Sequence, residues 1–277
     1  MRLAFFGGIY NNSLALEAAI RDAHRRGAEA MYCLGDLGAF GPHPDRVFPL
    51  LHEAAVRCIQ GNYDESISND LSDCQCGYTD PRDNHFAQIS YDYTYENTSL
   101  EHRLWLRALP PELRLEIDGL RLLLSHGSPR KTNEFLWEST TSTHFLDKLA
   151  DDAQADLILA THTGIHWQRR LREGRRFVNV GVLGRPENDG RTNVWYTMIR
   201  TGTDAGQGSS GVGRSSDGNS SLPLEIEFVP LVYDHQRLAR EMREEKLPDE
   251  FIETILSGWW TTCLEVLPSR ERRKGKW

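Results

Sequence analysis

The chain begins MRLAFFGGIYNN (1–12), and the reading of this stretch decides the fold. Arg2 to Phe6 is a short apolar run closed by Gly7-Gly8, the mark of a buried strand running into a loop. Behind it Leu14, Leu16, Ala19, Ile20 and Ala23 recur at helical spacing, with Asn12 or Ser13 placed to cap the helix. AEAMYCL (28–34) repeats the strand pattern and ends in Gly35-Asp36. Pro44 suits the first turn of a helix over 44–54, and a third strand at 56–60 ends in Gly61-Asn62. This β-α-β-α-β order predicts parallel strands with right-handed crossovers. Open α/β sheets gather their chemistry in the loops beyond the carboxyl ends of such strands.

Farther along, the character changes. Residues 65–98 are rich in Asp, Asn, Ser and Tyr and show weak periodicity. Their aromatics (Tyr78, Phe86, Tyr91, Tyr93, Tyr95) argue for an ordered cap or long functional loop over the site. A helix near 99–108 stops before Pro110-Pro111, and strands at 113–117 and 120–125 are joined by Asp118-Gly119, a hairpin signal. The second of these strands leads into His126. A helix at 142–153 precedes a strand at 156–160, which leads into Thr161-His162. Strands at 175–180 and 193–200 come next, and Arg169, Arg170, Arg172, Arg175 and Arg176 read as a solvated basic ribbon across a hairpin. The Gly/Ser-rich 201–221 reads as a flexible insertion before a strand at 224–229, with helices at 235–246 and 249–257.

The 277 residues, 39% of them hydrophobic, suit one large domain spanning 1–277. A net charge of -8 argues against a nucleic-acid polymer or a membrane surface as partner, because both need a basic face. It leaves room for a small phosphorylated substrate. No apolar run reaches the length of a membrane span, and the first residues lack the layout of a signal peptide. Five scattered cysteines suit a reducing cytoplasm better than a disulfide framework. Trp259-Trp260 fits a cover over apolar surface or a contact between subunits of a homo-oligomer.

Four strand ends carry the chemistry: GDLGAFGP (35–42), GNYDE (61–65), LLLSHGSP (122–129) and ATHTG (160–164). Asp36 offers carboxylate oxygen, Asn62 amide oxygen, and His126 and His162 imidazole nitrogen. This mixed set suits Mn, Fe or Zn rather than Ca, which prefers oxygen alone. A divalent ion so held lowers the pKa of bound water toward about 7 and polarises a phosphoryl oxygen.

In order, spacing and flanking residues, these segments resemble the calcineurin-like metallophosphoesterase superfamily, especially its compact bacterial phosphodiesterase-type branch. ALEAAI (15–20), HGSPR (126–130) and NVGVLGRP (179–186) extend the match from residue 2 to about 200. The resemblance implies an α/β fold, a four-layer α/β/β/α sandwich, with a two-metal site between loops at one edge. It implies that Asp36, Asn62, His126 and His162 hold one metal. The positions matching the second metal's ligands are Gly8, Tyr10, Asp36 and Gly164, so that half is degenerate. The family's leaving-group acid matches Tyr63, and its partner carboxylate matches Asp64. The expectation is a single divalent ion and hydrolysis of a small phosphorylated metabolite or nucleotide by metal-bound hydroxide, with Tyr63 and Asp64 beside the leaving group. The alternative is a non-catalytic relative that binds a ligand or partner in the old cleft. Asn11, Asn12, His43, His85, His166 and the Cys74-x-Cys76 pair are further candidates to touch the site.

Overall fold

Alternate residues of the first strand face opposite ways, and both ways are buried. Leu3 and Phe5 join one apolar cluster while Ala4 and Phe6 join another. Burial on both faces explains the unbroken apolar run and forces a layered architecture. The computed structural model describes residues 1–202 and 224–273. Its elements are β1 (Arg2–Phe6), α1 (Ser13–Arg25), β2 (Ala30–Cys33), α2 (Val47–Glu53), β3 (Arg57–Cys58), α3 (Asn62–Ser68), α4 (Pro81–Asn97), α5 (Leu100–Arg107), β4 (Glu112–Ile117), β5 (Leu120–Ser125), α6 (Thr143–Ala153), β6 (Leu157–Ala160), β7 (Trp167–Arg170), β8 (Arg176–Asn179), β9 (Val194–Thr201), β10 (Leu224–Leu231), α7 (His235–Glu244), α8 (Asp249–Ser257) and α9 (Ser269–Arg272).

The strands form two five-stranded sheets, ordered β10-β9-β1-β2-β3 and β4-β5-β6-β8-β7. As expected, β1, β2 and β3 run parallel, and β5, β6 and β8 repeat the arrangement in the second sheet. Leu3, Phe5, Tyr32 and Leu34 of the first sheet pack on Leu122, Leu124, Leu157 and Val178 of the second. Fully burying Phe5 there contributes about 2–3 kcal/mol. The outer face of the first sheet is covered by α1 through Ala15, Leu16, Ala19 and Ala23. The outer face of the second is covered by α6 through Leu146, Leu149 and Ala150. The result is the four-layer α/β/β/α sandwich.

Local chemistry accounts for the connections. Asn12 Oδ1 accepts from the Ala15 N–H at 3.0 Å and caps α1. Asp118 (φ 51°) and Gly119 (φ 78°) both adopt the left-handed backbone that a two-residue hairpin turn requires. The basic ribbon is the β7–β8 hairpin, and two of its arginines are ion-paired: Arg172 and Arg175 meet Asp151 at 2.7 and 2.8 Å.

Two readings from sequence need correction. Of the cap or long loop read at 65–98, the loop alternative gives way, because α4 makes helix of 81–97. Asp80 caps it and Pro81 opens it, but its buried face mixes Asp83, Ser90 and Thr94 with Phe86, Ala87 and Tyr91, which hides the apolar period. Cys74 and Cys76, expected as thiols, are joined in a disulfide, while Cys33, Cys58 and Cys263 are free. Beyond Gly202 the insertion read at 201–221 lies outside the described residues.

Candidate metal centre

The parallel strands of both sheets deliver their carboxyl ends to one edge. Asp36 and Asn62 arrive after β2 and β3, and His126 and His162 after β5 and β6. Asp36 (φ 57°) and His162 (φ 62°) sit in the left-handed region, which Asp and His tolerate better than most residues. The loops touch so closely that a Cβ on Gly61 would lie 2.4 Å from Asp36 Oδ1. Glycine there lets the Asn62 loop close on the carboxylate.

Three of the four donors meet, and the fourth, Asn62, lines the same cavity as Asp36 and His162. Ligand atoms of Asp36, His126 and His162 all lie within 4.8 Å of one another, and all three residues are buried. Among the described residues this is the one such cluster of His, Cys, Asp or Glu. His126 Nδ1–H donates to the Leu34 carbonyl at 2.7 Å, which leaves Nε2 facing Asp36 Oδ2 and His162 Nδ1, each at 3.2 Å. A backbone carbonyl on the far nitrogen is how metal-binding imidazoles are usually oriented. Asn62 donates through Nδ2 to the Cys74 carbonyl at 2.8 Å, while its buried Oδ1 has no hydrogen-bond partner. An orphaned buried amide oxygen costs about 1–3 kcal/mol, and a cation beside it removes that cost. The residues present therefore fit a divalent ion.

Electrostatics agree with a donor site. Burial penalises the Asp36 charge, but His126, His162 and the Tyr63 N–H outweigh it and hold the carboxyl below its usual range. For His126 burial disfavours the proton, yet the Asp36 carboxylate and the Leu34 carbonyl raise its pKa. Burial and the facing His126 push His162 down to about 3, so its ring is neutral. A neutral imidazole and an ionised carboxylate are the forms that ligate, so Asp36 and His162 stand ready, while His126 would have to release any proton that its neighbours favour.

The second half of the expected site is packed shut. The Tyr10 ring lies between Gly8 and Gly184: a Cβ on Gly8 would come within 2.3 Å of Tyr10 Cε1, and one on Gly184 within 2.2 Å of Tyr10 Cδ2. A Cβ on Gly164 would lie 3.5 Å from the Trp260 ring and 3.8 Å from Arg185 Nη2. Ring and guanidinium thus flank this position at van der Waals distance, while Tyr10 fills the space beside Gly8.

Tyr63 and Asp64 are placed differently from each other. Tyr63 lines the site cavity, and its hydroxyl donates to Ser90 Oγ (3.1 Å) or the Ala87 carbonyl (3.3 Å). Burial raises its pKa strongly. Asp64 accepts from the N–H groups of Asp36, Leu37 and Gly61 at 2.7, 3.0 and 2.8 Å. It thereby ties the β2 loop to the start of α3, while burial and the Asp36 charge push its pKa up to about 6. The further candidates are occupied elsewhere. Asn11 donates to the Gly41 carbonyl, Asn12 caps α1, His43 faces Glu245 at 3.9 Å, and His166 pairs with Glu187 at 2.5 Å. His85 rests edge-on to Phe86. Of the cysteine pair, Cys76 does line the cavity.

That cavity, about 50 Å³, opens beside Asp36, Asn62 and His162. Its walls include Tyr78 from the stretch read as a cap, and residues the sequence reading passed over: Arg185, Phe251, Thr262 and Cys263. Arg185 lies within NVGVLGRP (179–186), a segment that carried the resemblance, so a signal was present. Cys263 and Thr262 come from a C-terminal stretch without a motif, and only folding brings them to the site.

Comparison with known proteins agrees with this geometry. Residues 1–202 match the family model for the calcineurin-like phosphoesterase superfamily domain. An uncharacterized protein of Methanocaldococcus jannaschii is 24% identical over 272 residues, covering 92% of this chain and 98% of that one. A metallophosphoesterase of Sphaerobacter thermophilus has a similar structure, with TM-score 0.67, 22% identity and coverage of 93% and 99% of the two chains. A hypothetical protein of Pyrococcus horikoshii gives TM-score 0.71 at 21% identity, with coverage of 94% and 99%.

Proposed function

The chain belongs to the calcineurin-like phosphoesterase superfamily, and from that premise we propose that it is a divergent hydrolase of a small phosphorylated metabolite or nucleotide, working with one divalent ion. Asp36, Asn62, His126 and His162 would hold an ion such as Mn, Fe or Zn. When bound, that ion would supply a positive charge for a phosphoryl oxygen and a more acidic water. The observation that carries the reading is the buried Oδ1 of Asn62, which lacks a partner beside a cluster of ready donors.

The protein's own groups divide the remaining work. Asp36 accepts the Tyr63 N–H at 3.0 Å, which aims its carboxylate into the cluster. Asp64 positions the Asp36 loop through its three backbone bonds. Tyr63 stays protonated near neutrality and lines the cavity, and its hydroxyl would have to turn from Ser90 and the Ala87 carbonyl to serve a leaving oxygen. The aromatic walls from Phe40, Phe86 and Phe251 limit water around the reacting group.

The test is direct. Purified protein supplied with Mn, Fe or Zn is assayed for bound metal and for turnover of chromogenic phosphate monoesters and diesters. About one equivalent of metal, with turnover that falls in Asn62→Ala, supports the reading. Less than about 0.2 equivalents, or Asn62→Ala turnover equal to the parent's, overturns it.

A further inference from the structure

The cavity lined by the candidate metal donors is also lined by a buried cation. Arg185, in the loop between β8 and β9, is only 7% exposed and lines the same cavity as Asp36, Asn62 and His162. Its guanidinium sits over the Trp260 ring, 3.6 Å from the centroid. Trp260 is itself anchored by the loop that carries Arg185: its indole N–H donates to the Pro186 carbonyl at 2.8 Å, and its backbone N–H to Asn188 Oδ1 at 3.0 Å. The other groups that act on the guanidinium are the Cys263 thiol and the Tyr78 and Tyr10 phenols. Both phenols are raised by burial, so they remain neutral. Arg185 Nε is buried with no hydrogen-bond partner.

This is a poor resting place for a lone cation and a good one for an anion's counter-charge. Stacking on an indole and a contact with a thiol offset only part of what it costs to bury a charge that has no carboxylate partner among the described residues. The guanidinium fork matches two oxygens of a tetrahedral oxyanion. Its location matters too. It closes on Gly164, one of the positions vacated by the family's second-metal ligands, and acts on Tyr10, which fills another.

We propose that Arg185 is the second positive charge of this site: it binds the oxygens of a phosphoryl group whose remaining oxygen faces the Asp36–Asn62–His126–His162 cluster. The ligand class is a phosphate monoester or inorganic phosphate, which the small cavity can admit. The inference rests on the hydrolase reading for the metal side alone, since a guanidinium binds phosphate without a metal.

The experiment is calorimetric titration of inorganic phosphate into the full-length protein, metal-loaded and chelator-stripped, with bound metal measured in each sample. Arg185→Met should keep the parent's metal content and weaken phosphate binding by about tenfold or more in both metal states. Arg185→Lys keeps the charge without the fork and should fall between the two. Phosphate affinity within about twofold of the parent's in a folded, equally metallated Arg185→Met overturns the proposal, as does the absence of phosphate binding by the parent protein. Should Arg185→Met fail to fold, Arg185→Lys decides: parent-like affinity overturns the proposal and weakened affinity supports it. Arg185-dependent phosphate binding in a protein that takes up no metal would sink the hydrolase reading and leave this one standing.

Discussion

The two halves of the site differ in what surrounds their ligand positions. On one side, donors are present, oriented and short of partners: His126 is turned by the Leu34 carbonyl, and Asn62 Oδ1 has no hydrogen bond. On the other side, glycines at 8 and 164 replace donors, and the Tyr10 ring and the Arg185–Trp260 stack occupy the space. The degenerate half is therefore not a hole left by lost ligands. It is a repacked wall. A side chain restored at Gly8 would meet the Tyr10 ring before it reached an ion.

The largest effect should come from the intact half. Asp36→Asn keeps a residue that tolerates left-handed backbone but removes the charge. It should cut metal affinity by more than about 100-fold, read by elemental analysis after dialysis. Parent-like metal content would break the contrast between the halves. The repacked half predicts a coupling. Gly8→Ala should cost about 1–3 kcal/mol in urea unfolding because its methyl meets the Tyr10 ring, and much less in a Tyr10→Ala background. An equal cost in both backgrounds would show that the ring does not fill that space. Between the halves, Asp64→Asn turns an amide toward backbone N–H groups that need acceptors. A loss of about 1–2 kcal/mol in the same assay is expected, and no loss would dismiss the clamp.

The smallest effect lies in the frame, away from both halves. For Asp22, burial alone would raise the pKa, but bonds from the Tyr196 hydroxyl (2.6 Å), Arg26 and Arg25 outweigh it and lower the value. A carboxyl depressed on folding adds stability that is present above its unfolded pKa near 4 and lost as pH falls through the folded value. Unfolding midpoints should thus drop below about pH 4 by an amount on the order of 1 kcal/mol or less, and Asp22→Asn should flatten that drop. An unchanged acid slope in the variant would remove Asp22 from the account.

Much of this was legible because it depends on local patterns. The apolar runs at β1 and β2, the Asp118-Gly119 turn and the strand-end donors each follow from residues next to one another in the chain. Where inference failed, distance or mixed character was the cause. The inner face of α4 alternates Ser90 and Thr94 with Phe86 and Tyr91, so no clean 3.6-residue period survives. Thr94 bonds back to the Ser90 carbonyl at 2.8 Å, satisfying a polar group that the sequence shows only as polar. Gly8 read as a missing ligand, while its steric reason, the Tyr10 ring, appears only when β1's loop folds back on Gly184. Arg185 depends on Trp260, 75 positions away, for its platform.

The superfamily match stops at residue 202, yet Phe251, Thr262 and Cys263 line the cavity from beyond it, and Trp260 backs Arg185. Every candidate donor belongs to the matched part, and one side of the enclosure comes from beyond it. Under the proposed hydrolase reading, selectivity among ligands would thus be set partly by residues outside the segment that carries the candidate coordination sphere. Relatives that agree in all four donors but differ after the last shared strand should accept different molecules.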